Sequence, residues 1–241
     1  LKKIGKALFA HVDSFLAYPA GIVGTNGTLG LSWRVQLLAY MGTEENKLYE
    51  QFNLKEPWDG PTNSKLLEKM PSVYASPGKK TPSGKTHLRS FSGETAFLQG
   101  TSPKGGKEPP PYAGATPGLI PRGRTIVSIT DGTSNTLAVA EAVEPVEWTK
   151  PDDLPFYGFP TKASPELPKV PKLGGVYAGG FHGLMADGKV VFFPADLSEA
   201  DLRALITVNT GDNFGPKVMK ALYPEAQPKV NPLAGPLKKE K

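Results

Sequence analysis

The Asp187-Gly188 dipeptide, set between the hydrophobic runs of Gly179–Ala186 and Lys189–Phe193, constrains the fold of this 241-residue chain more than any other feature. It predicts a β-hairpin. Asp-Gly suits the two central positions of a tight primed turn, because both require positive φ and these residues tolerate it. A hairpin of this composition belongs to an antiparallel sheet, whose one-sided hydrophobic surface has to be covered by another element.

The remaining composition points the same way. Apolar residues make up 39% of the chain, while 27 Gly and 25 Pro exceed ordinary usage, so strands and long loops are expected with few helices. The length suffices for a real core without covalent staples. Cysteine is absent, which excludes disulfides, thiolate nucleophiles and Cys-based zinc sites. A formal charge of +5 is modest, and Lys79-Lys80, Lys104, Lys107, Lys238-Lys239 and Lys241 sit in Pro/Gly-rich surroundings. Those are solvated loops rather than a basic stripe interleaved with aromatics, so no nucleic-acid partner is expected. No run approaches the roughly 18 apolar residues that would span a bilayer.

Leu1, Ile4, Leu8, Val12 and Phe15 recur at spacings of three and four, with Lys2, Lys3, Lys6 and Asp13 between them, which predicts an amphipathic helix over residues 1–18. It opens without a capping residue, as the downstream part of a longer helix would. Ser32 is placed to cap a second helix through Trp33 and Tyr40 to Gly42. Short helices follow at Glu44–Phe52 and Asn63–Met70, separated by a rigid Pro57-Trp58-Asp59-Gly60-Pro61 turn. Thr86–Leu98 has strand character, and Thr125–Ile129 is apolar and β-branched. Leu137–Val143 reads as a strand, with a helix as the alternative. Ser198 caps a helix through Ile206, and a short helix is possible at Lys217–Tyr223. One domain over 1–210 is expected, with loop excursions at 99–124 and 145–174 and a C-terminal extension or tail at 211–241.

The chemistry-bearing residues are sparse. His11, His87 and His182 lie far apart and lack the i, i+4 spacing of a metalloprotease helix. His182 faces either Asp187 or a strand neighbour across the hairpin, and a structural role is the simpler reading. Ser134 lies in Asp131-Gly132-Thr133-Ser134-Asn135, where hydroxyls and amides satisfy turn backbone, and no Gly-x-Ser-x-Gly elbow is present. Asp131, Thr133 and Asn135 present oxygens at alternate positions, a weak calcium pattern with one carboxylate; otherwise no cofactor is expected. Trp33 with Arg34, and Trp58 with Asp59, look like packing anchors, and an Arg34 pair with Asp59 or Glu56 would tie the second helix to the Pro57 turn.

Taken together, Leu1–Leu8, Leu31–Leu38, Leu54–Asp59, Ile129–Thr136 and the hairpin carrying His182, Asp187 and Gly188 resemble a family of exported bacterial proteins. This is domain of unknown function 1559, expanded in planctomycetes and bearing pilin-like N-termini. In many members the final His and Asp-Gly stand further apart, so this hairpin is similar to a shorter variant. The resemblance implies a pilin- or pseudopilin-like α+β fold, an N-terminal helix on an antiparallel sheet with long Pro/Gly-rich loops. It also implies a non-enzymatic structural or accessory subunit of a cell-surface filament, pseudopilus or envelope assembly. Partners would be further copies or other envelope subunits, with membrane contact only through an upstream hydrophobic helix. The alternative is a surface module binding carbohydrate or another small ligand through exposed aromatics.

Overall fold

The computed structural model describes residues 1–25, 27–98, 115–121, 123–156, 169–211 and 213–224. Helix α1 (Lys2–Phe15) buries Ile4, Ala7, Leu8, His11 and Val12 along one stripe, as its periodicity requires. Leu16 ends it in the left-handed conformation (φ 55°), its N–H bonding Val12 O at 2.7 Å. A two-stranded antiparallel ribbon, β1 (Ile22–Val23) and β2 (Leu29–Leu31), follows.

The predicted second helix is shorter and tighter than expected. Only α2 (Trp33–Gln36) is α-helical, and Leu37–Tyr40 continues as a 3-10 turn. Ser32 does not cap it, because its hydroxyl donates to Trp148 O at 2.9 Å instead. Helix α3 occupies Thr43–Tyr49, and Lys3 reaches from α1 to pair with its Glu45. Asn63–Lys69, expected as a helix, is a 3-10 segment. At its start the buried Asn63 amide donates to the carbonyls of Asn53, Glu56 and Pro57, which fixes the Pro57-Trp58-Asp59-Gly60 turn.

The centre of the fold is a four-stranded antiparallel sheet in the order β3 (Lys85–Arg89), β5 (Leu137–Glu147), β7 (Gly180–Met185), β8 (Val190–Pro194). Strand β4 (Phe91–Ser92) runs parallel to β6 (Leu154–Pro155) in a small separate pair. Leu137–Val143 is therefore strand, and the helix alternative falls. Its unbroken apolar run has a plain cause: β5 is covered on both faces, and such strands lose their alternation.

One face packs Ala138, Val139 and Leu184 with α1, Trp33, Tyr74 and Trp148. The opposite face packs Leu137, Ala140, Phe181 and Phe193 with α4 (Glu199–Ile206) and α5 (Pro216–Leu222). The sheet is thus not one-sided, a correction to the expectation of a single covered face. Through Tyr223 the C-terminal stretch belongs to this packing, with Val218 and Leu222 buried.

Part of the expected excursion at 145–174 is also sheet. Strand β5 passes through Pro145, and its register against β3 shifts between Thr86 and Leu88, the irregularity at which a strand tolerates proline. Trp148 and Phe156 beyond it are buried. Within 99–124, Gly118 N donates to Val23 O and Val23 N to Leu119 O, each at 2.8 Å, so this end is tied to β1. Residues 99–114 and 157–168, the greater part of the first predicted loop and the middle of the second, lie outside the described residues, Lys104 and Lys107 among them.

The hairpin forms with β7 and β8 in register, but not through a primed two-residue turn. Met185 N bonds Lys189 O and Gly188 N bonds Met185 O, both at 2.9 Å. Gly188 has positive φ (81°) and Asp187 does not. The loop is thus a three-residue type I turn closed by a left-handed glycine, which uses the same dipeptide one step later.

Candidate functional site

Three of the signature segments meet at one joint. Asp187 N donates to Thr133 O at 3.0 Å and Ala186 N to Thr136 O at 2.8 Å, so the Asp131–Thr136 turn clamps the tip of the hairpin. Tyr18, just past α1, donates its hydroxyl to Ala186 O at 2.9 Å. Burial, with Asp187 nearby, pushes that phenol up to about 12. Helix α1 lies directly on the turn: a Cβ at Gly5 would meet Gly188 O at 3.1 Å, and one at Gly188 would strike the Phe9 ring at 2.7 Å.

The oxygens suggested for calcium are engaged within this joint. Asp131 accepts Thr210 N at 2.9 Å and Gly211 N at 2.8 Å, one on each carboxylate oxygen. Asn135 donates to Asp131 O at 2.8 Å and accepts the Tyr223 hydroxyl, which fastens the end of α5. Thr133 contributes its carbonyl, and Gly132 takes the positive φ (95°) the turn needs. Among the described residues no three His, Asp or Glu side chains gather where a metal ion would sit.

Arg34 is fully buried and does not pair with Asp59 or Glu56. Its guanidinium donates to Trp148 O at 2.8 Å, Lys150 O at 2.9 Å and Leu88 O at 3.1 Å, with Asp153 Oδ1 at 3.7 Å. The planar fork suits three carbonyls converging where β5 turns away, a job that neither surface carboxylate of the Pro57 turn offers. Asp153 also accepts from Trp33 Nε1 at 3.0 Å and Ser90 N at 3.2 Å. Burial lowers the Arg34 ionisation and Asp153 opposes that. Trp58 is half-buried beneath Lys150, whose ammonium lies 5.6 Å from the ring centre; Asp59 is exposed, and Glu56 instead accepts from Thr62 and Asn53.

His182 pairs with a strand neighbour, not with Asp187, whose carboxylate accepts Lys189 N at 2.9 Å. The neighbour is Glu141. The β5–β7 ladder runs from Leu137–Met185 to Ala140–Gly183 and then parts. Beyond it Glu141 O accepts Gly174 N at 2.7 Å and Val143 N donates to Lys172 O at 3.2 Å. His182 N–H loses its ladder carbonyl there, and the Glu141 carboxylate takes it at 2.8 Å, with the ring Nδ1 at 3.3 Å from the same oxygen. The imidazole is flanked by Tyr177 and Phe192, whose rings stand edge-on at 4.8 and 5.0 Å. His11 and His87 are buried and bonded to the carbonyls of Ala17 and Ala142, each at 2.8 Å, so the three histidines share no site.

Sequence reasoning missed Glu141 as the partner of His182, Asp153 and the Trp148 carbonyl as partners of Arg34, and Tyr223 as a partner of Asn135. A carboxylate alone inside the apolar run Leu137–Val143 was the available signal for Glu141. The Arg34 and Asn135 partners lie too far along the chain for spacing to reveal them.

These observations define an α+β protein in which an N-terminal helix, a central antiparallel sheet and a set of sequence signatures lock together as structural joints. Residues 1–156 match the family SBP_bac_10, described as protein of unknown function (DUF1559), and the chain belongs to that family. No curated protein and no solved structure matches it.

Proposed function

We propose that this chain is a non-enzymatic structural or accessory subunit of an exported assembly at the cell surface, such as a filament, pseudopilus or other envelope structure. The observation that carries this reading is the way α1 lies across the sheet on the Gly5–Gly188 contact, with the signature residues engaged in holding helix, hairpin and Asp131 turn together. A pilin-like arrangement follows the same logic, an amphipathic helix laid on an antiparallel sheet with Pro/Gly-rich connections left to meet neighbouring subunits. Among the described residues no helix is long and apolar enough to cross a membrane.

Partners in this reading are further copies of the chain or other envelope subunits, met through the 99–124 and 145–174 connections. Proline there lowers the entropy lost when a connection orders against a neighbour. The carbohydrate alternative has less to draw on: Trp33 and Trp148 are buried, leaving Trp58 as the one accessible tryptophan.

Chemical cross-linking on intact cells of the native source tests the proposal. Cross-linked ladders containing this chain at the cell surface are expected, weakened when residues 103–111 are deleted while the circular dichroism of the purified variant is unchanged. Recovery of monomer alone would overturn the reading, as would ladders indifferent to that deletion for the role of the loop.

A further inference from the structure

We propose that strand β8 pairs edge to edge with β8 of a second copy of this chain, extending the sheet across a two-fold axis. In the order β3-β5-β7-β8 this strand is outermost. The ladder shows which backbone groups it leaves open. Met185 N bonds Lys189 O at one end of the hairpin and Ala195 N bonds Gly179 O at the other, each at 2.9 Å, and the register is unbroken from Leu184–Val190 to Gly180–Pro194. Antiparallel pairs alternate, so Gly183–Val191 and Phe181–Phe193 exchange bonds, while Leu184–Val190, His182–Phe192 and Gly180–Pro194 turn theirs outward. His182 N fixes the phase, since it points away from β8 to Glu141 Oε2 at 2.8 Å. The N–H groups of Val190 and Phe192 and the carbonyls of Val190, Phe192 and Pro194 therefore face the edge, and among the described residues none of them has a partner.

The two edges of the sheet are built differently. On β3 the register shifts between Thr86 and Leu88, Leu88 N donates to the Thr86 hydroxyl at 3.1 Å, Leu88 O accepts from Arg34, and Lys85 and Arg89 charge both ends. Bulges, charges and covered backbone groups are what keep an edge from pairing. Between its ends β8 has none of them: Val190–Pro194 carries no charge and no register shift, and its one proline stands last. Phe192 keeps 45% of its surface open there. A flat apolar edge of this kind accepts an added strand through its backbone groups.

The charges flanking the strand select a second copy as its partner. The chain runs from the exposed Lys189 into β8 and out to Asp196, whose side chain is 72% exposed although it also pairs with Lys217. Laid antiparallel with full overlap, Phe192 meets its own counterpart, Val190 meets Pro194, and each Lys189 comes within one residue of the other copy's Asp196. A parallel pairing would instead set like charges together. In the antiparallel register Phe192 exchanges both bonds with its counterpart, and each Val190 N–H meets the other copy's Pro194 carbonyl. The two Phe192 side chains share a face with their Cα atoms about 5.5 Å apart, the spacing of favourable aromatic cross-strand pairs. This contact adds to the surface-assembly reading and does not rest on it, because that reading places its contacts on the 99–124 and 145–174 connections.

Analytical ultracentrifugation of the purified full chain over a concentration series tests the pairing. A dimer with a dissociation constant of about 1 mM or tighter is expected. Phe192→Pro removes an outward N–H that the ladder does not use. That variant, Lys189→Glu and Asp196→Lys, each keeping the wild-type circular dichroism, weaken self-association by about tenfold or more. Lys189→Glu mixed with Asp196→Lys dimerises again, because the mixture restores opposite charges at both ends of the shared edge. Hydrogen exchange at the Val190 and Phe192 amides slows only at concentrations where the dimer forms.

A monomer throughout the series overturns the proposal. Protection of both amides that is independent of concentration also overturns it, by showing that another part of the same chain covers the edge. A dimer indifferent to all three variants but lost on deletion of residues 103–111 refutes the edge pairing and leaves the loop contacts of the surface-assembly reading standing.

Discussion

Replacing Arg34 by Met tests whether the first core is organised by a buried cation or merely by packing. Methionine fills most of the same volume but takes the guanidinium from three carbonyls; Trp148 O keeps the Ser32 hydroxyl, while Lys150 O and Leu88 O lose the Arg34 donor. An orphaned buried acceptor costs about 1–3 kcal/mol, so two predict a loss of at least about 2 kcal/mol. Breaking a buried charge network by removing one member typically costs about 3–5 kcal/mol, and the two figures agree. Against a total stability of about 5–15 kcal/mol the effect is large.

Asp153 is the lesser contributor. It stands 3.7 Å away and keeps the Trp33 indole and Ser90 amide when Arg34 is gone. A double-mutant cycle of Arg34→Met with Asp153→Asn should therefore give a coupling energy below about 1 kcal/mol. Urea unfolding at pH 7 with linear extrapolation measures all three variants. A loss below about 1 kcal/mol for Arg34→Met would refute the network, and a coupling energy matching the whole loss would show that the ion pair, not the carbonyl fork, is responsible.

Two further perturbations probe α1. Gly5→Val should destabilise by about 1–3 kcal/mol although valine is a better helix former than glycine, because Gly188 is fixed by its turn bonds and cannot give way; a rise in melting temperature would refute the close contact. His11 is held neutral by burial, its folded ionisation lying below the ordinary 6.5, so the unfolded chain binds the proton first. Stability is then fully present above pH 6.5 and falls as the pH drops from there toward the lowered folded value. His11→Gln should flatten that fall in urea unfolding at pH 7.5 and 5.5, and an equal fall in both proteins would place the effect elsewhere.

The parts of the fold that a sequence discloses are those written locally. The stripe Ile4, Leu8, Val12 needs only its own periodicity to be read as a helix, and Ser198 accepts Asp201 N at 3.0 Å as a capping residue three positions earlier should. Asp187-Gly188 declares a hairpin but not its turn type, since the dipeptide serves a primed turn and a type I turn with a left-handed glycine equally well. Ser32 shows how tertiary demand overrides a local signal: the Trp148 carbonyl, 116 residues along the chain, takes the hydroxyl that capping would have used.

The candidate site was less legible for the same reason, and Glu141 shows how such a partner becomes readable. A sheet that forks must leave a backbone N–H without its ladder carbonyl, and a buried N–H needs an acceptor. Alanine or valine at 141 would keep the apolar run intact and orphan His182 N–H. A carboxylate reaching from the adjacent strand supplies the oxygen, and it is tolerated because that amide and the facing imidazole compensate its burial. The lone charge in Leu-Ala-Val-Ala-Glu-Ala-Val is therefore the sequence's mark of the fork. Its partner, 41 residues away, becomes evident only once the Gly174 segment is known to displace β7 from β5.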